Sequence, residues 1–517
     1  MKAIVQERYG SPDDLELREL EKPVVGDDDV LVRVRAASVH PDVWHVASGR
    51  PYVLRLMGAG FSRPKHQIPG TDMAGIVESV GKNVTRFRPG DPVFGETIAS
   101  HQWINGGAFA EYVAVPQDLL ALKPDNITFE QAASVPTSGY IAVQNLRDPS
   151  QLRPGQTVLI NGAGGGVGTL ALQLAKSYGA HVTAVDSTRK LGMLRSLGAD
   201  EVIDCTQEDF TQLGVRYDLI FDVPGNHPFS ACRRALKPDG RYVLIGHERF
   251  GASGKRVFGL IPHFLKLIFL SRFVKQLRGP GIRMPTKKEA MAVLRELLEA
   301  GKITPIIDST YDLGEAREAF RHMIEDDIQG KVIITALSAN VLIRQSVDAD
   351  VAGIAAIINE AAQAYRGVIP ADRWHEPYMP TDELKKEIAD GVVFWVAEQE
   401  GRLLGVMGIQ EKGDVALVRH AYVAPTTQRS GVGTRLLRHV KGLADKPILI
   451  GTWASASWAI EFYQRNGFIV VPNSDRDRLL QTYWSIPARQ VETSVVLADR
   501  RWMEAKARVS GTAERPR

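Results

Sequence analysis

The sequence of 517 residues has only two cysteines, Cys205 and Cys232, and a net charge of only +3. Two cysteines exclude a framework of several disulfides and a metal site built from several thiolates. The low net charge gives no basis for attraction to nucleic acid. No apolar run approaches the roughly 18 residues of a membrane-spanning helix, and the first residues lack the apolar core of a signal peptide. We therefore expect a cytoplasmic protein that acts on small molecules, without a nucleic-acid partner or integral membrane association.

The chain is long enough for about three packing units of roughly 150 residues each. Residues 1–127 are rich in glycine, proline and short β-branched runs, which predicts an all-β segment. In residues 128–299, apolar strands alternate with helical stretches, which predicts right-handed crossovers and a parallel sheet. The predicted strands are Thr157–Gly162, His181–Val185, Glu201–Asp204, Asp218–Val223 and Arg241–Gly246.

A short polar join at residues 337–340 precedes a new apolar strand that starts at Val341. Residues 341–498 repeat no earlier pattern and carry their own strand and helix signals, which predicts a separate domain. The polar residues 499–517 are expected to form a flexible tail.

A glycine-rich loop, GAGGGVG, runs from Gly162 to Gly168, directly after a predicted strand and before a helical run. Glycines let the backbone turn sharply and approach a pyrophosphate, while the helix N-terminus faces the negative charge. Asp186 ends the next strand, where an acidic residue is typical of dinucleotide sites. The loop therefore predicts a dinucleotide site, and its residues are Gly162, Gly165, Gly166, Val167, Gly168 and, at the end of a later strand, Gly246.

The residues around the end of the second parallel strand leave the identity of the cofactor open. Asp186 would accept hydrogen bonds from both ribose hydroxyls of NAD and repel a 2′-phosphate. Ser187, Arg189 and Lys190 instead offer donors and positive charge to that phosphate. The balance favours NADP slightly over NAD.

These motifs resemble the quinone reductase branch of the medium-chain dehydrogenase/reductases, although that family usually has alanine where Gly162 stands. The resemblance extends over residues 1–336. It implies a GroES-like β-rich substrate domain at residues 1–127, completed by residues 300–336, and a Rossmann domain with a doubly wound parallel sheet at residues 128–299. Further matching segments follow in the same order: Lys2–Gly10, Ala36–Trp44, Ile68–Gly81, Arg88–Gly95, Ser196–Asp204 and Gly330–Thr335.

The zinc-dependent members of this superfamily hold a catalytic metal for which this sequence lacks ligands. His40 stands at the position of their cysteine, Thr71 replaces their histidine, and the cysteine cluster of their structural zinc is absent. A catalytic zinc needs about three protein ligands, so we expect no metal. The resemblance then implies hydride transfer to quinones or α,β-unsaturated carbonyls, with alcohol dehydrogenase activity as the alternative.

The proton that completes such a reduction comes from water or from a side chain. His40 and Tyr52 lie on the segment that resembles the family's substrate-cleft wall. Both are candidate catalytic residues, and both have an alternative interpretation as ordinary packing or surface residues.

In the last third, an apolar strand runs into a short loop with the pattern Q/R-x-x-G-x-G/A and then into a helical run. Small residues let successive N–H groups at a helix start wrap a diphosphate. The segment resembles the GNAT N-acetyltransferases, which have a mixed α+β fold. The resemblance implies acetyl-CoA as cosubstrate, with Tyr463 beside the thioester sulfur as the acid that protonates the thiolate. The binding residues are Gln428, Arg429, Gly431, Val432, Gly433 and Thr434.

The general base and the acetyl acceptor stay open. His420, Glu411 and Asp414 lie near the central strand, and residues 364–380 are expected to form the acceptor wall. The chain as a whole therefore predicts a bifunctional α/β multidomain enzyme. The alternative is a reductase whose last domain binds coenzyme A for regulation, without catalysis.

Residues 251–288 contain nine Lys or Arg residues and no acidic residue, around the apolar segment Ile261–Leu270. We interpret this stretch as a lid or a subunit-contact helix, and the second interpretation would make the protein a homodimer. A basic amphipathic helix on an anionic membrane surface is the alternative.

Overall fold

A computed structural model describes residues 1–99, 104–146, 152–246, 257–259, 261–277, 285–336, 341–399, 401–428, 431–484, 486 and 488–503. The chain divides into two compact units, Met1–Leu337 and Ser338–Arg517. The predicted join at residues 337–340 lies outside the described residues. Within the described ranges, no helix is long and apolar enough to cross a membrane.

The first unit contains fourteen strands and nine helices in its described part. The strands are β1 (Lys2–Gln6), β2 (Leu15–Glu19), β3 (Asp29–Val39), β4 (Asp72–Val80), β5 (Pro92–Glu96), β6 (Tyr112–Pro116), β7 (Leu120–Leu122), β8 (Thr157–Asn161), β9 (His181–Asp186), β10 (Glu201–Asp204), β11 (Tyr217–Asp222), β12 (Leu236–Leu244), β13 (Ile307–Asp312) and β14 (Lys331–Thr335). The helices are α1 (Pro41–Ser48), α2 (Phe129–Ala133), α3 (Pro136–Leu146), α4 (Gly166–Ser177), α5 (Leu191–Ser196), α6 (Phe229–Arg234), α7 (Ile261–Leu270), α8 (Lys287–Glu299) and α9 (Ala316–Glu325).

The β-rich part of this unit is a seven-stranded sheet with the order β13-β14-β3-β4-β5-β7, in which β6 also pairs with β3. Strands β13 and β14 come from the end of the unit, and β14 pairs antiparallel with β3. The chain therefore leaves this sheet after β7, builds a second sheet, and returns.

The second sheet is entirely parallel, with the order β10-β9-β8-β11-β12, which confirms the predicted doubly wound sheet. Val158, Leu159 and Ile160 of β8 are all fully buried, as expected for a strand covered by helices on both faces. Strand β8 ends at Asn161, one residue earlier than predicted, because Gly162 has a φ of 76° and turns the chain. From β8 the chain adds β9 and β10 on one side and then β11 and β12 on the other, and this reversal of strand order opens a crevice at the carboxyl end of β8.

The basic stretch is described only in part, because residues 251–256, 260 and 278–284 lie outside the described residues. Helix α7 covers its apolar segment. Leu267 of this helix is buried, whereas Leu265, Ile268 and Phe269 are each more than half exposed. Whether α7 acts as a lid or as a subunit contact stays a prediction.

The second unit has one mixed seven-stranded sheet with the order β15-β16-β17-β18-β19-β21-β20. Its strands are β15 (Leu342–Gln345), β16 (Val393–Gln399), β17 (Arg402–Lys412), β18 (Val415–Val423), β19 (Ile448–Trp453), β20 (Ile469–Val470) and β21 (Ser494–Ala498). Its helices are α10 (Val351–Ala362), α11 (Thr381–Ala389), α12 (Val432–Leu443), α13 (Ser457–Arg465), α14 (Asn473–Tyr483) and α15 (Ala488–Glu492).

Helices cover both faces of this sheet. Val406 of β17 belongs to the same core as the apolar residues of α10 and α11, whereas its neighbour Met407 belongs to the core that includes α12. Successive side chains of a strand point to opposite faces, so the two cores lie on opposite sides of the sheet. This arrangement confirms the predicted mixed α+β domain.

The flexible tail was predicted to begin at residue 499, but residues 499–503 are folded. Trp502 is only 8% exposed and packs with Val415 and Leu449, and Arg501 Nη1 donates to the carbonyl of Ala444 at 2.6 Å. Residues 499–503 therefore belong to the folded second unit, because one buried indole outweighs the polar neighbours that suggested a tail. Residues 504–517 lie outside the described residues.

Replacing Trp502 by alanine tests this anchor. Loss of a buried tryptophan side chain leaves a cavity, so Trp502→Ala is expected to lower the free energy of unfolding of the second unit by about 3 kcal/mol. Chemical denaturation followed by circular dichroism measures the change. Val347→Ala is the control, since Val347 is 59% exposed, and an equal loss in both variants would contradict the assignment.

Candidate functional site

The predicted glycine loop forms the turn between β8 and α4. Gly165 caps α4, and the first hydrogen bond inside the helix runs from the Thr169 N–H to the Gly165 carbonyl at 2.9 Å. The N–H groups of Gly166, Val167 and Gly168 therefore have no acceptor within the helix. They lie at the crevice beside β8, where a helix N-terminus favours an anion.

Two of the glycines are required by close contacts. A Cβ atom on Gly168 would lie 2.2 Å from the Gly162 carbonyl oxygen, and one on Gly164 would lie 2.5 Å from Lys190 Cδ. Any side chain at Gly168 would push the helix away from the strand. The loop thus keeps the backbone accessible in the way a dinucleotide pyrophosphate requires.

Lys331, the first residue of β14, joins this loop to the β-rich sheet. A Cβ atom on Gly166 would lie 2.8 Å from Lys331 Cε, so the lysine side chain passes directly over the start of α4. The Gly330 N–H also donates to the Gly164 carbonyl at 2.8 Å. Lys331 belongs to the matching segment Gly330–Thr335 and was not predicted as a site residue, although a lysine at the start of an otherwise apolar strand is the signal that could have identified it.

The Lys331 ammonium is buried, with 4% of the residue exposed, and has no hydrogen-bond partner among the described residues. Burial lowers the pKa of Lys331 to about 8, although the nearby charges of Asp72, Asp42 and Glu96 act to raise it. A buried cation without a direct partner, beside a helix N-terminus, provides two adjacent positive features for one anion.

Asp72 is the best-connected carboxylate of this cluster and is fully buried at the start of β4. It accepts hydrogen bonds from Ser38 Oγ at 3.2 Å, from the Thr137 N–H at 3.3 Å and from Thr137 Oγ1. Thr71 Oγ1 also donates to Asp72, at 3.4 Å. The hydroxyl at the position of the superfamily's zinc-binding histidine is therefore engaged by a carboxylate. Among the residues that the structure describes, no group of three His, Cys, Asp or Glu side chains could hold a metal ion.

Glu96 lies at the end of β5 and forms an ion pair with Lys287 Nζ. Burial and the negative charge of Asp72 raise the pKa of Glu96, despite the opposing charge of Lys287. Glu96 directly follows the matching segment Arg88–Gly95 and was not predicted as a site residue.

The structure places His40 in the same cluster. Its ring caps α1, and Nδ1 accepts the Asp42 N–H at 3.2 Å. Burial alone would raise the pKa of Asp42, but the charges of His40, His45 and Lys331 outweigh it and lower that pKa. His40 is thus buried, and both it and Lys331 lie close enough to Asp42 to affect the pKa of that carboxylate.

Tyr52 lies elsewhere on the wall. It is 40% exposed, and the Arg55 guanidinium stacks over its ring at 4.8 Å. The structure brings His40 to the charged cluster and gives no comparable contact for Tyr52 within the described residues.

Asp186 is bound back to the glycine loop. Its carboxylate accepts the Gly164 N–H at 2.7 Å and the Ser187 N–H at 2.9 Å, and it lies 3.2 Å from Lys190 Nζ. These contacts occupy the oxygens that were expected to accept the ribose hydroxyls.

Asp327 is a residue of this region that sequence reasoning missed, because it is distant in sequence. Its carboxylate accepts Ser187 Oγ at 2.6 Å and pairs with Lys190 Nζ at 2.6 Å, while its backbone carbonyl accepts from Arg189. Burial acts to raise the pKa of Asp327, but Lys190 and Ser187 outweigh it and lower that pKa. The three predicted donors therefore converge on one residue.

Gly246 follows the end of β12, and its N–H donates to the Val223 carbonyl at 3.0 Å. A Cβ atom on Gly246 would lie 2.9 Å from that same oxygen. Gly246 thus stays at the carboxyl edge of the parallel sheet, where the glycine loop also lies.

In the second unit, the candidate site is a gap between two parallel strands. Strands β18 and β19 pair only from Ala416 with Ile448 to Val418 with Ile450. Beyond that point β18 continues to Val423 and β19 to Trp453 without pairing to each other. The two strands thus separate into what we call the open halves of β18 and β19.

The predicted diphosphate loop follows the open half of β18. Gly431 has a φ of 83° and caps α12, while Val432 is buried and Thr434 lies in the first turn of the helix. A Cβ atom on Gly433 would lie 3.3 Å from Val423 Cγ2, and Gln428 Nε2 donates to the Val423 carbonyl at 3.3 Å. The predicted residue Arg429 lies outside the described residues.

Tyr463 lies on α13 and is 7% exposed, edge-on to Phe462 and Phe468. Burial, together with the neighbouring Tyr365, raises the pKa of Tyr463 above its ordinary value. The phenol is therefore held in its protonated form.

The structure separates the three candidate bases. Glu411 pairs with Lys446 Nζ at 2.6 Å and Asp414 accepts from Tyr483, and both lie at the hairpin between β17 and β18. His420 lies in the open half of β18, with its Nε2 3.5 Å from a Glu387 carboxylate oxygen. His420 has a φ of 49°, an uncommon conformation for a residue with a side chain. Of the three, His420 is on the same half of the strand as the gap.

Comparisons with known proteins agree with this division of the chain. Residues 26–125 match the alcohol dehydrogenase GroES-like domain family, and residues 197–334 match the zinc-binding dehydrogenase family. Residues 390–470 match the acetyltransferase (GNAT) domain family.

Similar proteins cover the first unit. The chloroplast envelope quinone oxidoreductase homolog of Arabidopsis thaliana is 31% identical over 62% of this chain and 93% of its own length. The NADPH-dependent alkenal/one oxidoreductase of the same plant is 32% identical over 65% of this chain and 79% of its own length. The structure of the quinone oxidoreductase from Coxiella burnetii is 28% identical, with a TM-score of 0.54 over 65% of this chain and 99% of that one.

The buried Lys331 ammonium has a measurable consequence for stability. Between pH 8 and the ordinary lysine range near 10.5, the unfolded chain keeps the proton that the folded protein has lost. The free energy of unfolding of the wild type should therefore rise with pH in this window, relative to Lys331→Met, by up to about 3 kcal/mol. Denaturation curves of both proteins from pH 7 to 10 measure the difference, and parallel pH profiles would contradict the buried, unpaired state of Lys331.

Proposed function

Because the chain belongs to the medium-chain dehydrogenase/reductase family and carries a GNAT acetyltransferase domain, we propose that it is a bifunctional enzyme. The first activity is an NADPH-dependent reduction of quinones or α,β-unsaturated carbonyls, and the second is N-acetylation with acetyl-CoA. The observation that carries this proposal is that each unit has a helix whose N-terminus directly follows a glycine cap, Gly165 before α4 and Gly431 before α12.

In the first unit, the N–H groups at the start of α4 and the ammonium of Lys331 would hold the diphosphate of the cofactor. Both features are positive, and both face the crevice at the end of β8. An ion pair between that diphosphate and Lys331 would also give a partner to a buried ammonium that has no hydrogen-bond partner among the described residues.

The bound nicotinamide supplies a hydride to the electrophilic carbon of the substrate. The electrons of the conjugated bond then move to the carbonyl oxygen, which needs a proton or a positive neighbour. His40 would donate that proton through Nε2, because its Nδ1 accepts the Asp42 N–H. The name of the alkenal/one oxidoreductase relative supports conjugated carbonyls as the substrate class.

The reaction is proposed to proceed without zinc. Thr71 offers a hydroxyl that already donates to Asp72, and Asp72 itself accepts hydrogen bonds from Ser38 and Thr137. A metal would have to break this network and would still lack a third ligand of the usual kind.

NADPH is favoured over NADH by the contacts of Asp327. Ser187 Oγ and Lys190 Nζ converge on its carboxylate, and Arg189 binds its carbonyl. A 2′-phosphate is an anion that satisfies the same donors, so Asp327 occupies them until the phosphate replaces it. Asp186 is engaged by two N–H groups and Lys190, which supports NADPH further because the ribose hydroxyls of NADH would have to displace those contacts.

In the second unit, the open halves of β18 and β19 would admit the pantetheine arm, with its diphosphate at the start of α12. The acceptor amine attacks the thioester carbonyl, the C–S bond breaks, and the amine loses a proton. His420 is suited to take that proton because it lies in the open half of β18. Tyr463, whose burial keeps it protonated, would return a proton to the thiolate.

The Asp327→Asn substitution tests the assignment of the cofactor. Removing the carboxylate charge frees Ser187 and Lys190, so the KM for NADPH should fall about 3- to 10-fold while the KM for NADH changes little. Initial rates with 2-alkenals and simple quinones measure both constants. Asp326→Asn is the control next to it, and an equal effect on both cofactors would contradict the role of Asp327.

The Tyr463→Phe substitution tests the acetyltransferase. Loss of the phenolic proton should reduce kcat about 100-fold or more, with the Kd for acetyl-CoA unchanged. Thiol release with a panel of amines and calorimetric titration with acetyl-CoA are the measurements. Acetyl-CoA binding without thiol release in the wild type would instead indicate a domain that binds coenzyme A without catalysis.

A further inference from the structure

Five aromatic side chains of the second unit form one cluster, which we call the aromatic wall. Tyr365 is its centre: its ring lies 6.2 Å from that of Tyr378, 6.4 Å from that of Tyr422 and 5.5 Å from that of Trp458. Trp374 stacks on the far side of Tyr378 at 5.6 Å. Three of the five come from the segment that was expected to form the acceptor wall, and the other two come from β18 and α13.

The aromatic wall stands at the open end of the gap between β18 and β19. Tyr422 lies in the open half of β18, where burial and the neighbouring Tyr378 raise its pKa. Burial also raises the pKa of Tyr365, although the side chain of Thr452, in the open half of β19, acts to lower it. Trp458 shares α13 with Tyr463, and the charges of both Tyr378 and Tyr463 affect the pKa of Tyr422, which burial raises. The wall thus involves the open halves of both strands and the helix that carries Tyr463.

The carboxylates of the same segment are already neutralised. Glu376 lies 3.7 Å from Arg366 and accepts Gln363 Nε2 at 3.3 Å. Asp372 lies 3.8 Å from Arg373 and 3.4 Å from Arg489. In the described part of residues 364–380, every carboxylate therefore has an arginine neighbour. A substrate with several ammonium groups would find no free carboxylate there.

The residues packed against the aromatic wall are apolar. Ile369, Trp453 and Ala456 form a small buried core against Tyr365, Trp374 and Tyr378. Trp458 is 43% exposed, so its ring faces solvent at the edge of the wall. Aromatic rings of a ligand gain most from faces and edges of this kind, and a single ammonium also gains from them.

We propose that the acetyl acceptor is an arylalkylamine, a primary amine on a short chain that carries one aromatic ring. This rests on the proposed acetyltransferase function. The ring of the acceptor lies against Tyr365, Tyr378 and Trp458, and its amine points to the thioester beside Tyr463. The amine nitrogen forms the amide bond, the C–S bond breaks, and coenzyme A leaves as the thiol.

The experiment compares acceptors with the full-length protein. 2-Phenylethylamine and tryptamine are measured against spermidine, glucosamine and a lysine peptide, with thiol release as the readout. The kcat/KM for the two arylalkylamines should exceed that for the other three by at least 10-fold. Higher activity with spermidine, glucosamine or the peptide would overturn the inference and leave the acetyltransferase intact, whereas no release with any amine would overturn both.

Variants of the wall locate the effect. Trp458→Leu and Tyr378→Leu should each raise the KM for 2-phenylethylamine about 10-fold, with the KM for acetyl-CoA unchanged. Trp458 is the safer site for folding because it is partly exposed. Tyr483→Leu, on α14 outside the wall, is the matched control. Equal acceptor constants in Trp458→Leu and in the control would overturn the inference.

Discussion

The first unit depends on one buried positive charge. Lys331 begins β14 in the β-rich sheet, yet its side chain lies over Gly166, at the start of the helix that follows the parallel sheet's central strand. The charge of its ammonium lies among those of Asp42, Asp72 and Glu96 without a direct hydrogen-bond partner in the described structure. Each of the two sheets supplies half of this arrangement, so the crevice exists only when both are folded and joined.

The same constraint explains why small residues recur around the crevice. A helix N-terminus can face an anion only if no side chain stands between the backbone and the ligand. At Gly168 the close approach of the Gly162 carbonyl enforces this. The second unit meets the same requirement differently, since Gly431 adopts a positive φ to turn into α12.

The two units make their clefts by different means. In the first, the reversal of strand order at β8 leaves space at the carboxyl edge of a parallel sheet. In the second, two neighbouring parallel strands pair for three residues and then separate. His420 and Tyr422 lie in the separated part of β18, and Thr452 lies in that of β19. Reactive and aromatic groups therefore collect where backbone pairing stops.

Local patterns were enough to predict the architecture and the two glycine turns at helix starts: strand and helix periodicity, glycine spacing and the order of segments around Gly162–Gly168 and Gly431–Gly433. They were not enough to predict which distant residues meet beside these turns. Lys331 contacts Gly166 and Asp327 contacts Lys190, and each pair is more than 130 positions apart in sequence. Tyr365 and Trp458 are likewise distant in sequence and adjacent in space. Such contacts depend on sheet order and on the packing of side chains, which no local pattern records.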